Sequence, residues 1–350
     1  MERDQFYMQR CIQLAKMAVG YTQPNPMVGA VLVYNDKIIG EGYHQQFGGP
    51  HAEVNCMKSV SDANRQLISK STLYVSLEPC AHFGKTPPCS LLILQHKIPR
   101  VVIGTLDPFE AVNGKGIDQL KAAGVEVVTG LLEKECKELN KRFFTFHTKK
   151  RPYIILKWAQ TADAFTANHS TERLFITNAY TNRLVHKWRS EEAAIFIGKN
   201  TALQDNPLLN NRYWPNGAQP LRMVIDANCE LPERLHILSD GNPTLIWNRK
   251  INRTTGSVEY IQWNQSISAI PAIVQSCYEK NIQSILVEGG TTLLQCFIDA
   301  GLWDDARVIT NTTMWMNRGL PAPKLLGAQL QCSENLQNDF IQYFIPAEYE

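Results

Sequence analysis

Four residues in the first third of the chain carry side chains suited to holding a metal beside a carboxylate: His51, Glu53, Cys80 and Cys89. Zinc prefers imidazole and thiolate, and a catalytic zinc site uses three protein ligands and keeps one position open for water. His51 with the two thiols makes that set of three. Bound zinc lowers the pKa of its water to roughly 7, so attack on an amidine-type carbon can proceed at neutral pH with ammonia leaving. Both steps need a proton carrier, and Glu53, two residues after His51, fits that role. Each residue alone reads as structural, since a buried cysteine is inert by default. A closed structural zinc site needs a fourth protein ligand, and His82 is the only nearby spare.

These side chains must be carried by elements that the patterning also indicates. Residues 4–20 have apolar side chains at helical spacing, and VGAVLVY (28–34) with KIIGEGY (37–43) reads as a hairpin turned at Asn35-Asp36. A helix is expected to begin near His51, after Gly48-Gly49-Pro50, and the strand 72–77 leads to Glu78-Pro79-Cys80. A helix from about Cys89, the strand 100–106, helices near 115–123 and 133–146 and a strand at 125–128 complete an alternating α/β domain. The polar, basic segment HTKKRP (147–152) is the expected joint, dividing the chain into 1–148 and 152–350. Beyond it come expected strands at 153–160, 193–198, 221–226, 284–290, 304–310 and 338–345, with helices at 177–190, at 270–280 and from Thr291. Residues 211–219 and 239–256 read as loops.

At 350 residues with 44% apolar side chains, two cores of ordinary size are expected. A formal net charge of +2 lacks the basic excess of a general nucleic-acid binder. No run is long enough to span a bilayer, and the N-terminal residues lack the apolar core of a secretory signal. The nine cysteines are odd in number and scattered, which fits a cytoplasmic protein with reduced thiols. Cys11, Cys56, Cys136, Cys277 and Cys296 fall in helix-like apolar patterns, where core packing is expected.

The H-A-E, P-C and further Cys pattern resembles the signature of zinc deaminases. Nucleic-acid and cytidine deaminases usually place both thiolates in P-C-x-x-C, whereas here eight residues, Ala81 to Pro88, separate them. That longer form, EPCAHFGKTPPC, resembles the deaminase half of the bifunctional riboflavin-biosynthesis deaminase/reductase family. The resemblance extends to PNPMVGAVLV, GEGYHQQFGGPHAE and LDPFEAVNGKG. Past the joint it continues with KWAQTADAFTA, FITN, DNPLLNNR, VEGGTTLLQCFIDAGLWDD and PKLLG, and so covers nearly the whole chain.

The family implies an N-terminal cytidine-deaminase-like three-layer α/β domain and a C-terminal dihydrofolate-reductase-like α/β domain. It implies Zn2+ on His51, Cys80 and Cys89, Glu53 as the proton donor, and Asn25, His82 and Lys85 in contact with a phosphorylated ribosylaminopyrimidine. Taken alone, Asn25 in Pro-Asn-Pro reads equally as a rigid turn and Lys85 as a solvated charge. In the second half it implies NADPH held by Phe175, Thr201, Asp205, Gly290, Thr291 and Thr292. Substrate would meet Arg173, Arg189, Leu209, Arg212 and Glu288. Val287 to Thr292 is a strand end, a glycine pair and a helix start, a place suited to a pyrophosphate. Read by position alone, Arg189 is a helix-end charge. The second half departs from the family pattern at Ala164, Thr171, Arg173 and Phe175, where Gly, Gly, Ser and Trp are usual. No unambiguous clamp for a 2′-phosphate is visible. A homo-oligomer without nucleic-acid or membrane partners is expected. The alternatives are a deaminase whose second domain only binds nucleotide, or a nucleic-acid-editing deaminase.

Overall fold

The computed structural model describes residues 2–83, 87–110, 112–168 and 174–347, and the chain forms two compact units, Met1–Lys149 and Lys150–Glu350. The first unit runs α1 (Glu2–Lys16), β1 (Gly29–Tyr34), β2 (Lys37–Tyr43), α2 (Ala52–Ser59), a 3-10 turn at Asp62–Lys70 and β3 (Thr72–Leu77). It continues with α3 (Cys89–Gln95), β4 (Arg100–Thr105), α4 (Lys115–Ala122), β5 (Glu126–Thr129), α5 (Glu133–Leu139) and α6 (Lys141–Lys149). Its sheet has the order β2-β1-β3-β4-β5, with β1 antiparallel to β2 and β3 and the remaining pairs parallel.

Both faces of this sheet are covered, so apolar residues fill consecutive strand positions. Ala30, Leu32, Leu73, Val75, Val101 and Ile103 pack with Ala52, Cys56, Ile93 and Leu120 of α2, α3 and α4. Their neighbours Val31, Val33, Tyr74 and Val102 turn to the other layer, against Met8, Cys11 and Ile12 of α1 and Cys136 of α5. This is the expected three-layer arrangement. Two boundaries differ from expectation. α1 stops at Lys16 because the next residues close i→i+3 turns, Met17 N–H to Leu14 O and Ala18 N–H to Ala15 O, both at 3.1 Å. The single helix expected at 133–146 is broken at Asn140, whose side chain pairs with the Met27 backbone through two bonds of 2.8 Å.

The second unit carries β6 (Tyr153–Thr161), β7 (Phe165–Ala167), α7 (Ala179–Glu191), β8 (Ala194–Gly198), α8 (Lys199–Asp205), β9 (Leu221–Ile225), α9 (His236–Ser239) and β10 (Thr244–Asn248). Then follow β11 (Arg253–Thr255), β12 (Val258–Gln262), α10 (Ala269–Glu279), β13 (Ser284–Gly289), α11 (Thr291–Asp299), β14 (Asp305–Asn311), β15 (Leu320–Pro321), β16 (Ala328–Leu336) and β17 (Asp339–Pro346). The main sheet has the order β11-β12-β10-β9-β8-β13-β6-β14-β17-β16, parallel from β12 to β14 and antiparallel at both ends. Ile154, Phe196, Trp247 and Val287 face α10 and α11. On the other face Ile155 and Leu286 pack against α7, and Ile197 and Val224 against Ala202 and Ile237.

Here the structure corrects two expectations and adds elements that were not expected. Residues 239–256 are not loop throughout: they contain β10, whose five residues are all buried inside the sheet, and β11. α8 and the exposed edge strand β16 are further elements that the apolar patterning did not indicate. Cys296 lies in α11 but is exposed, because the buried side chains of this helix are Leu293, Leu294, Phe297 and Ile298. The other four cysteines expected in the core are buried, and all nine are free thiols.

Candidate active sites

In the first unit, His51 is the N-cap of α2, and its ring makes no capping bond. It is therefore available to the thiols: its Nδ1 lies 3.6 Å from Cys80 Sγ and 3.4 Å from Cys89 Sγ. Cys80 follows the end of β3, and Cys89 opens α3, donating its backbone N–H to Cys80 Sγ at 3.3 Å. The three donor atoms lie within 4.8 Å of one another. Hydrogen bonds from the Cys89 thiol and from His51, set against burial, pull the Cys80 thiol down to about 4. The bond to Cys80 in turn raises His51 to about 9. Cys80 is thus held toward thiolate, while the bond to Cys80 and burial push the Cys89 thiol up; one imidazole nitrogen and two sulfurs fit the donor chemistry of zinc.

Glu53 is buried in the first turn of α2 and bonds Cys89 through its carboxyl. Burial pushes that carboxyl up, and the charge on Cys80 adds to the effect. Asn25 donates no bond to the metal cluster; its amide Nδ2 meets His44 Nε2 at 3.2 Å. The other ring nitrogen of His44 donates to Pro50 O at 3.0 Å, and the His44 and His51 rings lie 5.6 Å apart, edge to face. His44 thus fixes the orientation of Asn25 beside the metal ligands. His82 is exposed and stands edge-on to Phe109, with ring centroids 6.4 Å apart. Lys85 lies outside the described residues.

The backbone at Cys80 is anchored by Glu78. Its buried carboxylate accepts N–H groups from Asp107, Gly114, Gly116 and Ile117 at 3.0–3.4 Å, joining the end of β3 to the start of α4. Gly116 is needed there: a Cβ on it would lie 2.1 Å from Pro79 O. On the far side of the site, the Asn140–Met27 pairing holds the segment that carries Asn25.

In the second unit a cavity of about 940 Å³ runs across the carboxyl ends of β6, β13, β8 and β9. That is where open parallel sheets bind ligands. It is lined by Phe175, Thr201, Asp205, Gly290, Thr291 and Thr292, all expected at a cofactor. Arg189, Leu209, Arg212 and Glu288, expected at the substrate, line it as well. Arg173 and Thr171 lie outside the described residues. Arg189 is not a solvated helix-end charge. Its guanidinium is buried and forms a two-bond ion pair with Glu288, at 2.7 and 2.6 Å. Burial would raise the Glu288 carboxyl, but Arg189 outweighs it and holds it at about 2. Arg212 is exposed and donates to Asn210 Oδ1 at 2.9 Å, while its backbone N–H reaches His186 Nδ1 at 3.1 Å. Phe175 is 69% exposed and lines the cavity with an aromatic ring. A Cβ on Gly290 would stand 3.1 Å from Thr201 Oγ1, so the turn packs tightly against α8.

Residues 152–332 match the family model of the RibD C-terminal domain, and residues 1–105 match the cytidine and deoxycytidylate deaminase zinc-binding region. The riboflavin biosynthesis protein RibD of Aquifex aeolicus is 38% identical over 337 residues, 95% of this chain and 90% of that protein. The chain belongs to the RibD family. The Escherichia coli RibD is 34% identical, covering 93% of this chain and 89% of its own. Among solved structures, the Thermotoga maritima diaminohydroxyphosphoribosylaminopyrimidine deaminase/5-amino-6-(5-phosphoribosylamino)uracil reductase superposes with a TM-score of 0.90 at 33% identity, covering 99% of both chains. Acinetobacter baumannii RibD does so with a TM-score of 0.90 at 31% identity, covering 99% of both chains. The match includes both halves, so the chain is a bifunctional RibD with a zinc-binding deaminase domain and a reductase domain. The single-activity and nucleic-acid-editing alternatives are not favoured.

Four residues at these sites escaped the sequence reading: His44, Glu78, Asn140 and Lys157, the last lining the RibD reductase cavity from β6. His44 lay inside a quoted motif, and a second histidine seven residues before His51 was the available signal. Glu78 and Asn140 act through backbone groups distant in sequence, which spacing does not reveal.

Proposed function

We propose that the two activities divide between the units, with His51, Cys80 and Cys89 as zinc ligands and Glu53 as the proton carrier of the deaminase. The observation that carries this reading is the convergence of one Nδ1 and two Sγ atoms within 4.8 Å, with a buried carboxyl beside them. Zinc, when bound, supplies a nucleophilic water at neutral pH. Glu53 accepts a proton from that water as it adds to the ring carbon bearing the 2-amino group, then delivers one to the departing ammonia. One water is consumed, the C–N bond breaks and a ring carbonyl remains. Thus 2,5-diamino-6-(ribosylamino)-pyrimidin-4-one 5′-phosphate becomes the 5-amino-6-ribosylaminouracil phosphate. Asn25 holds the edge of the ring, since an amide can donate and accept at once. His82 and Lys85 line the remainder of the pocket.

In the reductase unit NADPH supplies a hydride to the open form of the ribosyl group, giving ribityl. Phe175, Thr201, Asp205, Gly290, Thr291 and Thr292 hold the cofactor. Leu209, Arg173, Arg189, Arg212 and Glu288 surround the substrate, with the arginine fork suited to its phosphate. No helix among the described residues is long and apolar enough to cross a membrane. We place the enzyme in the cytoplasm as a homo-oligomer that binds small molecules and not nucleic acid. Sedimentation checks the assembly, and tRNA binding across a range of salt checks the last point.

The deciding experiment is incubation with the diaminopyrimidine phosphate, with and without NADPH, followed by product identification. Expected products are the aminouracil ribosyl phosphate without cofactor and the ribityl compound with it. Accumulation of the first product in both reactions would remove the reductase assignment; recovery of unchanged substrate would remove the deaminase assignment.

A further inference from the structure

We propose that Lys199 reads the substituent on the 2′ carbon of the cofactor's adenosine ribose, and that Glu230 sets how strongly it does so. The inference rests on the cavity being the nicotinamide dinucleotide site. Four lysines and arginines line the cavity among the described residues: Lys157, Arg189, Lys199 and Arg212. Three of them gather at one end. Arg189 is bound to Glu288 on β13 and lies 3.5 Å from His186, which receives the backbone N–H of Arg212 at 3.1 Å. Lys157 stands on β6, the strand paired with β13. This end suits the phosphorylated substrate and the reacting ring.

A dinucleotide whose reacting ring lies at the β6–β13 end must carry its adenosine toward β8 and β9. Its pyrophosphate would then meet the close turn at Gly289-Gly290, where α11 begins. At the β8–β9 end the cavity is lined by Lys199, Asn200, Ala227 and Asn228, and Lys199 is its one cation among the described residues. The ammonium of Lys199 is already engaged by Glu230 Oε2 at 2.5 Å, while Glu230 Oε1 accepts from Asn228 Nδ2 at 3.1 Å. Asp226, at the end of β9, places a further carboxylate nearby.

NADPH differs from NADH by a phosphate on this ribose. Side-chain exposures of 33% for Lys199 and 51% for Glu230 make the ion pair a weak one that a phosphate can displace. Glu230 nonetheless competes for the lysine and repels the phosphate. The pair therefore gives a moderate preference for NADPH that either residue can shift.

The test is calorimetric binding of 2′,5′-ADP and 5′-ADP to the full-length zinc protein, alongside steady-state kinetics with NADPH and NADH. Lys199→Gln is expected to weaken 2′,5′-ADP about tenfold and to raise the NADPH KM by a similar factor. The loss should be confined to ligands bearing the 2′-phosphate. Glu230→Gln is expected to tighten 2′,5′-ADP severalfold and to raise the NADPH:NADH ratio of kcat/KM. Equal effects of Lys199→Gln on both ligands, no effect on either, or weaker 2′,5′-ADP binding in Glu230→Gln would overturn the proposal alone. If the unaltered protein binds neither ligand and oxidises neither cofactor, the reading of the cavity falls with it.

Discussion

Glu53 and Cys89 touch one another, yet their replacement should have different consequences. Cys89 presents a sulfur within the three-atom ligand cluster, whereas Glu53 presents a carboxyl whose burial favours the protonated form. Glu53→Gln preserves shape and removes the transferable proton. It should retain about one zinc per chain and lose deamination by roughly 10²–10⁴-fold. Cys89→Ser should lose metal and activity together, because a hydroxyl is a poor substitute for a zinc thiolate. Metal analysis beside a product assay separates the two, and full zinc loss in Glu53→Gln, or near-normal turnover, would remove it from this role. The ligand triad was legible in the sequence because zinc restricts the choice to a few residue types. His44 was not, because its task of orienting Asn25 depends on a bond to Pro50 O that only the folded loop creates.

At the scale of elements, strands buried on both faces were the easiest to place: 72–77 was read with the bounds it has in the structure. Short or edge elements were not. β10 is a five-residue run among turn-forming residues, and its burial comes from neighbours on β9 and β12. β16 is exposed along most of its length and carries almost no apolar signal. Two glycine exchanges test how the elements hold the sites. Gly116→Ala would push a methyl into Pro79 O, beside a metal ligand. The loop bearing Cys80 has to move, so zinc affinity should fall while the second unit is unaffected; unchanged zinc affinity would show that the Glu78 anchor does not govern Cys80. Conversely, Ala164 occupies the glycine position of the family pattern with φ 63°, in the left-handed region. A Cβ there costs roughly 1–2 kcal/mol, partly offset by the entropy glycine loses on folding. Ala164→Gly should stabilise the second unit by up to about 1 kcal/mol, read as a higher denaturant midpoint. A lower midpoint would mean that the turn at Asp163, which receives Met316 and Asn317 N–H groups, tolerates alanine without strain.

For the whole molecule, the decisive feature is that each half has its own core. The two clusters of the first unit draw only on residues between Tyr7 and Leu139, and the three of the second only on residues between Tyr153 and Phe344. Every residue assigned to deamination precedes Lys149, and every residue assigned to reduction follows Lys150. A core that closes on itself can fold alone, so a chain ending at Lys149 should bind zinc and deaminate at a rate near that of the full protein. The complementary chain from Lys150 should reduce the aminouracil ribosyl phosphate when that compound is supplied. In the intact protein, chelation of zinc should abolish the first step and spare oxidation of NADPH on the supplied intermediate. The joint expected at 147–152 was read from its basic, proline-ended composition. Circular dichroism establishes that each half is folded, and product analysis then measures its activity. A first half that folds and holds zinc but is inactive would mean that deamination needs groups beyond Lys149, making the division of labour a property of the sequence motifs alone.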